Sequence, residues 1–542
     1  MDGRHAPTGL EITGLVGATT LATTAVASLL LAWLGVHDGV TAVVVGLAVG
    51  IALVAVVARR GRDWRLGPWS RVDAALLVGV LVLAASQAFP GFPLAAKNRD
   101  PGVYVNHAVA IADQGSTTLT DPVAETGAEL VFSDGAARIV TAEGAVAWRK
   151  LPYRSFPTDP DRLDEIDPDF FHLWPTTLAT AKELAGRTGL FNLTPALAVA
   201  AVGLLFLATR RAFGTVAATV GAGLLAVNEL QVWQAKFPTA EALSQCLYAG
   251  ALLAVVVALS TRWRVAAGLG GALVGVGFVA RPEGIIVVGL AAIAVAGLWV
   301  VRGRLDPPVV AFTAGLLPPL LLGTYQAYGR DARYAELQEG LPSFALALAG
   351  AVMLVAAAFV LRRLWCRRSE ARPAGGNGRR PPTPDPSGEG GGRADRASSA
   401  LDRLVGGDPE VLTRRLGYLA VGLFAAFLVF AWFRPELLGD SYRVDKSGQR
   451  TRGYDEMNLH RLVVFLTPVA LLAAVGALVV GVRERWSAAR WALVVPGLLI
   501  TPVLVWEPHI APDLMWWGRR YVPVVVPTLL VLVGVAAGLL WE

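Results

Sequence analysis

The chain has 542 residues, of which 54% are hydrophobic and only 17% charged, and its mean hydropathy is +0.52. Such values exclude an ordinary soluble globule, where roughly a quarter of residues are charged, and point to a chain that crosses a membrane many times. The net charge of +6 is carried largely by arginines flanking apolar runs, so it reads as a topology signal, and no nucleic-acid partner is expected. The two cysteines, Cys246 in an apolar run and Cys366 in a basic segment, are too few for a cysteine metal site, and no structural disulfide is expected. Ala, Gly, Val and Arg are frequent while Lys is scarce, which suggests a bacterial source. The first apolar run is long and lacks a small-residue cleavage site, so no cleavable signal peptide is expected.

In chain order, about fourteen apolar runs approach the ~20 residues needed to cross a bilayer. The first two lie near 10–34 and 39–58, and the basic segment Arg59 to Arg65 after them is expected in the cytoplasm. A third run, 73–90, leads outward to Asp100-Pro101, where an Asp suited to capping and a Pro suited to the first turn predict a new helix. Helical spacing places Asp100, Tyr104 and His107 on one face of it, expected to be exposed. A polar stretch of roughly 90 residues follows, too long for a simple connector and therefore expected to be functional. Its middle contains strand-like Glu129–Phe132 and Ala137–Val140. Its end, the acidic Asp164–Asp169 followed by Phe170-Phe171-His172-Leu173-Trp174, suits a return to the membrane interface.

The later runs lie near 192–209, 214–231, 241–260, 265–280, 284–301, 308–325, 343–361, 416–433, 462–482, 490–506 and 522–541. Alternation from a cytoplasmic N-terminus puts Arg210/Arg211, Arg262/Arg264, Arg302/Arg304, Arg362/Arg363 and Arg483/Arg485 all inside, which is internally consistent. Residues 366–410 are rich in Gly, Pro and charge and read as a disordered cytoplasmic linker. The expected organisation is then 1–72, two transmembrane helices and a basic loop; 73–365, a transmembrane core with the outer loop 91–190; the linker 366–410; and 411–542, a final group of four spans.

The same alternation gathers Asp100, His107, Asp164–Asp169, His172, Glu229, Lys236, Glu241, Arg281, Glu283 and Arg519-Arg520 on the outer face. A transporter would instead place charges mid-span and break its helices there, and few such signals are visible. A non-catalytic scaffold would have no reason to gather these loops. The site is expected on the outer face.

These residues resemble the GT-C class of membrane glycosyltransferases, which use polyprenyl-phosphate-linked sugars. The resemblance rests on the loop opening Arg99-Asp100-Pro101-Gly102-Val103-Tyr104, on His172-Leu173-Trp174-Pro175, and on the segment from Gln231 to Glu241. It rests also on the turn Arg281-Pro282-Glu283-Gly284 and on Trp516-Trp517-Gly518-Arg519-Arg520-Tyr521. It covers roughly 73–330 and 416–541; the two N-terminal helices before residue 73 and the Gly/Pro-rich linker depart from it. It implies an all-α polytopic membrane protein of about 14 helices with a large catalytic first outer loop, a multi-pass protein of the bacterial plasma membrane. It also implies a polyprenyl-phosphate sugar donor, membrane lipid around it, and a glycan, lipid or protein acceptor.

The chemistry can be argued beside the resemblance. A phosphate leaving group is weakly basic, so transfer needs no general acid; it needs one carboxylate to take the acceptor proton and cations to meet charge on phosphate. Asp100 is the candidate base. Arg281, Arg519, Arg520 and Lys236 are candidates for the donor phosphate, Arg being suited to bidentate contact. Glu241, with Tyr104, His107 and His172, is a candidate for orienting the acceptor or a divalent cation, Mg or Mn, whose requirement stays open. Plainer roles stand beside these: Glu241 as a charge at a helix start, Arg519-Arg520 as interfacial anchors, and the histidines as interfacial hydrogen-bonders. Asn192-Leu193-Thr194 matches a glycosylation pattern, but Pro195 and the adjoining span argue against its use.

Overall fold

In the computed structural model, residues 6–60, 69–95, 100–120, 129–133, 136–140, 146–149, 158–159, 162–166, 170–302, 305–331, 409–444, 450–508, 510 and 514–542 are described. The expected span 343–361, the linker 366–410 and the side chains of Asp164–Asp169 lie outside them.

A reciprocal capping box opens α1 (Gly9–Trp33): Thr8 Oγ1 accepts from the Glu11 N–H, and Glu11 Oε2 accepts from the Thr8 N–H at 2.8 Å. After α2 (Gly39–Arg60), Ser70 and Asp73 form the same box at the start of α3 (Arg71–Ala88). Next come α4 (Asp100–Gln114) and six short strands: β1 (Leu119–Thr120), β2 (Glu129–Ser133), β3 (Ala136–Val140), β4 (Val146–Arg149), β5 (Thr158–Asp159) and β6 (Arg162–Ile166). The strands form two antiparallel sheets, β2-β3-β4 and β1-β6-β5, with Leu130 opposite Ile139 and Phe132 opposite Ala137. The two strand-like segments expected from sequence are thus partners.

Helix α5 (Leu173–Phe213) runs 41 residues and interrupts itself at Ala185 and Gly186, where Gly186 adopts φ 58°. A left-handed backbone is inexpensive only at glycine, so the chain turns there without a separate loop. This corrects the sequence expectation of a span confined to 192–209: the Leu173–Thr180 segment is itself helical and mostly buried. At its far end Arg211 Nη1 meets Glu11 Oε2 at 2.7 Å and Arg210 Nη2 meets Asp73 Oδ2 at 2.6 Å. Acids in the first turns of α1 and α3 and arginines in the last turn of α5 are each where the helix dipole favours them. These pairs fasten the N-terminal helices to the core.

The rest of the bundle comprises α6 (Thr215–Val227), α7 (Glu229–Lys236), α8 (Glu241–Thr261), α9 (Arg264–Ala280), α10 (Gly284–Arg302) and α11 (Pro307–Tyr325), then α12 (Pro409–Trp432) and the short α13 (Arg434–Leu438). The hairpin β7 (Tyr442–Val444) with β8 (Arg450–Arg452) precedes α14 (Asn458–Leu466), α15 (Pro468–Arg483), α16 (Ala488–Trp506), α17 (Leu514–Gly518) and α18 (Val525–Trp541). Glycines let α9 and α11 touch backbone to backbone: a Cβ on Gly271 would meet the Phe312 carbonyl oxygen at 1.9 Å, and one on Gly315 the Gly268 oxygen at 2.0 Å.

Among the described residues, eight helices are long and apolar enough to cross a membrane, or up to ten if each of two bent pairs is one span. The bends, 59° between α6 and α7 and 92° between the segment ending in α14 and α15, are breaks that the sequence reading did not expect. Asn228 caps α7 through its side chain, and Thr467-Pro468 restarts the chain as α15, so local polar chemistry replaces the interrupted backbone bonds.

Candidate functional site

Four helix termini meet at the end of the bundle away from Arg210 and Arg211: the start of α4, the start of α8, the α9–α10 turn and the α17–α18 turn. Each brings charge. Arg281 leaves α9 in an extended conformation, and its carbonyl accepts from the Gly284 N–H at 2.9 Å, closing the Arg281-Pro282-Glu283-Gly284 turn. A Cβ on Gly284 would lie 2.5 Å from Phe278 Cα, so only glycine lets the turn fold so closely on its own helix. In the α17–α18 turn, Trp517 Nε1 donates to Asn458 Oδ1 at 2.8 Å and Tyr521 OH donates to the Leu504 carbonyl at 2.6 Å. With Trp517 and Tyr521 buried and ring against ring at 4.5 Å, Arg519 and Arg520 between them are held in place.

The charged groups form one alternating chain. Asp100 Oδ2 accepts from Arg519 Nη1 at 2.5 Å. Arg519 stacks on Trp516 at 4.1 Å and turns its Nε toward Glu241 Oε1 at 3.5 Å. Glu241 pairs with Arg281, whose Nε lies 3.1 Å from Glu283 Oε2, and Glu283 pairs in turn with Arg520. Glu241 is buried to 1% exposure at the centre, whereas the Asp100 side chain keeps 25%. Asp100, Tyr104, Phe170, Phe171, Arg281, Glu283, Arg519 and Arg520 line a small pocket. Burial, reinforced by the neighbouring Arg281 charge, holds the Arg520 guanidinium below the usual range, while Glu241 and Asp100 pull the other way.

Two expectations about α4 are corrected. Asp100 is the first residue of the helix, and among the described residues its carboxylate meets Arg519 and caps no backbone N–H. The face carrying Tyr104 and His107 is buried, not exposed: Tyr104 is 8% exposed, His107 not at all. The α4 face packs against the aromatic return segment, with Tyr104 against Phe170 at 4.8 Å and the His107 and His172 rings edge to face at 5.3 Å. Burial raises the Tyr104 phenol above its usual range, so it stays protonated beside the pocket.

The histidines sit behind the pocket lining. Trp33 Nε1 donates to His172 Nδ1 at 3.3 Å, which leaves His172 Nε2 to carry its proton 3.3 Å from Asp331 Oδ1. His107 Nε2 donates to the Thr117 carbonyl at 3.1 Å, and burial, then the neighbouring His172, pushes its pKa well below the usual value. The unfolded chain therefore binds a proton below about pH 6.5 that the folded chain refuses, so stability is full above that pH and falls as pH drops. We expect a loss of about 1.4 kcal/mol per pH unit from this residue. It should appear as an acid-side slope in thermal melts that His107→Gln removes; equal slopes in both proteins would refute it.

Lys236 is not brought to the pocket. Its ammonium lies 5.7 Å from the Phe92 ring centroid, because α7 ends before the α8 start that carries Glu241. The sequence reading placed Glu283 on the outer face and Trp516 in a motif without giving either a role, and it did not single out Asp331. Glu283 was legible in principle, since the Arg281 turn carries it two residues on; the other two depend on contacts between distant segments. A divalent cation does not fit these groups as arranged: every pocket carboxylate is answered by guanidinium, and no cluster of three His, Cys, Asp or Glu is placed for a metal among the described residues.

Fold and site define an all-α polytopic membrane protein with an ion-lined pocket where helix ends meet. No protein-family model and no curated protein matches the chain. Among solved structures it is similar to the oligosaccharyltransferase of Archaeoglobus fulgidus in the apo form, at 13% identity and TM-score 0.45, over 86% of this chain and 50% of that one. It is similar to the same archaeal enzyme, AglB, in complex with an inhibitory peptide and a dolichol-phosphate, at 13% identity and TM-score 0.44, over 85% and 50%. It is similar also to ArnT from Cupriavidus metallidurans bound to undecaprenyl phosphate, at 13% identity and TM-score 0.29, over 86% and 77%. The chain spans about half the length of the archaeal enzyme.

Proposed function

We propose that the protein is an integral membrane glycosyltransferase. It moves a sugar from a polyprenyl-phosphate donor to a glycan, lipid or protein acceptor on the outer face of the bacterial plasma membrane. The observation that carries this reading is the pocket: a partly exposed carboxylate, Asp100, opposite three arginines on helix ends.

In this reading Asp100 takes the acceptor hydroxyl proton while the hydroxyl oxygen attacks the anomeric carbon. Arg519, Arg281 and Arg520 meet the charge that develops on the departing phosphate. Glu241 and Glu283 are each held by two guanidiniums, so among the described residues no second carboxylate is poised as a nucleophile, which favours single displacement with inversion. Transport of a lipid-linked glycan is less favoured: the buried pairs of Glu11 and Asp73 sit at helix ends, not mid-span.

Incubation of the purified protein with labelled polyprenyl-phosphate sugars and candidate acceptors should release polyprenyl phosphate. Movement of intact donor across vesicles without that release would overturn the reading. Its sidedness has a separate test. In a background lacking Cys246 and Cys366, a cysteine replacing Ser133 should react with an impermeant thiol reagent in intact cells, and one replacing Ser387 should not. Labelling at position 387 would refute the outer-face assignment.

A further inference from the structure

Asp100 is the weakest link in the alternating chain. Arg519 alone holds it among the described residues, whereas Glu241 is held by Arg281 and Arg519, and Glu283 by Arg281 and Arg520. With every group ionised, three carboxylates and three guanidiniums sum to zero, so a bound phosphodiester adds one uncompensated negative charge. The arginine best placed to answer it is the one whose other partner is most readily released.

We propose that Arg519 couples the base to the leaving group, passing from the Asp100 carboxylate to the donor phosphate as the sugar is transferred. The proposal rests on the glycosyltransferase reading above. The acceptor O–H proton goes to Asp100, and the hydroxyl oxygen forms the new bond to the anomeric carbon. The bond from that carbon to the phosphate oxygen breaks, and its electron pair stays on the phosphate. Asp100 therefore goes from one negative charge to none while the phosphodiester monoanion becomes a phosphomonoester dianion. The total is unchanged, and Arg519 follows the charge. Trp516 beneath the guanidinium and Glu241 beside its Nε steady the side chain while its Nη1 changes partner.

If Asp100 and phosphate share Arg519, Asp100→Asn should bind undecaprenyl phosphate more tightly than wild type, although it loses transfer. We expect roughly tenfold, the size of a one-unit coupling between charged neighbours. The gain should vanish in an Arg519→Ala background and be absent for undecaprenol, which carries no phosphate. Unchanged or weaker binding of undecaprenyl phosphate by a transfer-dead Asp100→Asn would overturn the coupling and leave Asp100 as base. Normal transfer by Asp100→Asn would instead overturn the base and the coupling together. Arg519→Lys gives a second reading that does not depend on the Asp100 variant. It keeps a charge but not the fork, so kcat should fall roughly tenfold or more with a smaller change in donor KM. An unchanged kcat would overturn the coupling as well.

Discussion

Asp100→Asn should lose transfer by ~10²-fold or more, the range expected when a general base is removed, while still inserting and melting close to wild type. Two features make the substitution selective. The side chain is near-isosteric with the original, and among the described residues the carboxylate caps no backbone N–H that the amide would have to replace. Losing its charge leaves Arg519 beside Glu241 at 3.5 Å and stacked on Trp516, so no guanidinium is stranded. Initial rates of polyprenyl phosphate release, with melting curves on the same preparations, check both halves. Normal rates would reduce Asp100 to a structural ion-pair partner and move the search for the base to Glu241 or Asp164–Asp169.

Glu241→Ala should be the most damaging single change to the fold around the pocket. Glu241 is buried at the start of α8 and is shared by Arg281 and Arg519, two guanidiniums that are themselves largely buried. Removing one member of a buried charge network leaves the others desolvated and unanswered, at a cost of about 3–5 kcal/mol. Glu241→Gln keeps the volume and a carbonyl acceptor and should cost less, although it too leaves positive charge uncompensated. The comparison is Glu283→Ala: that side chain keeps 30% exposure, and water can take over part of its role. Thermal unfolding in one detergent should rank the three, with Glu241→Ala lowest. If Glu241→Ala melts with wild type, the central ion pairs contribute little and the pocket is held by its aromatic residues.

Much of the architecture was decided by local sequence. Apolar runs long enough to cross a bilayer became α1, α2, α3, α8 and α16 at nearly the expected bounds, because hydrophobic length and arginine flanks act within one segment. The strand pair β2 and β3 was legible for the same reason, since alternation over a few residues is a local property. Asp100, Glu241, Arg281 and Arg519 could each be singled out, because each is a charge placed at the end of an apolar run. Tertiary structure alone decided how they combine. Asp100 and Arg519 are 419 residues apart, and nothing in either segment names the other. The chain of alternating charge exists only where four helix termini meet. Packing also overrode local expectation: α4 met the aromatic return segment, which buried the face of Tyr104 and His107, and the end of α7 carried Lys236 away to Phe92. Hydropathy and capping chemistry are read one segment at a time, whereas the pairing of buried charges depends on which distant segments share a low-dielectric space.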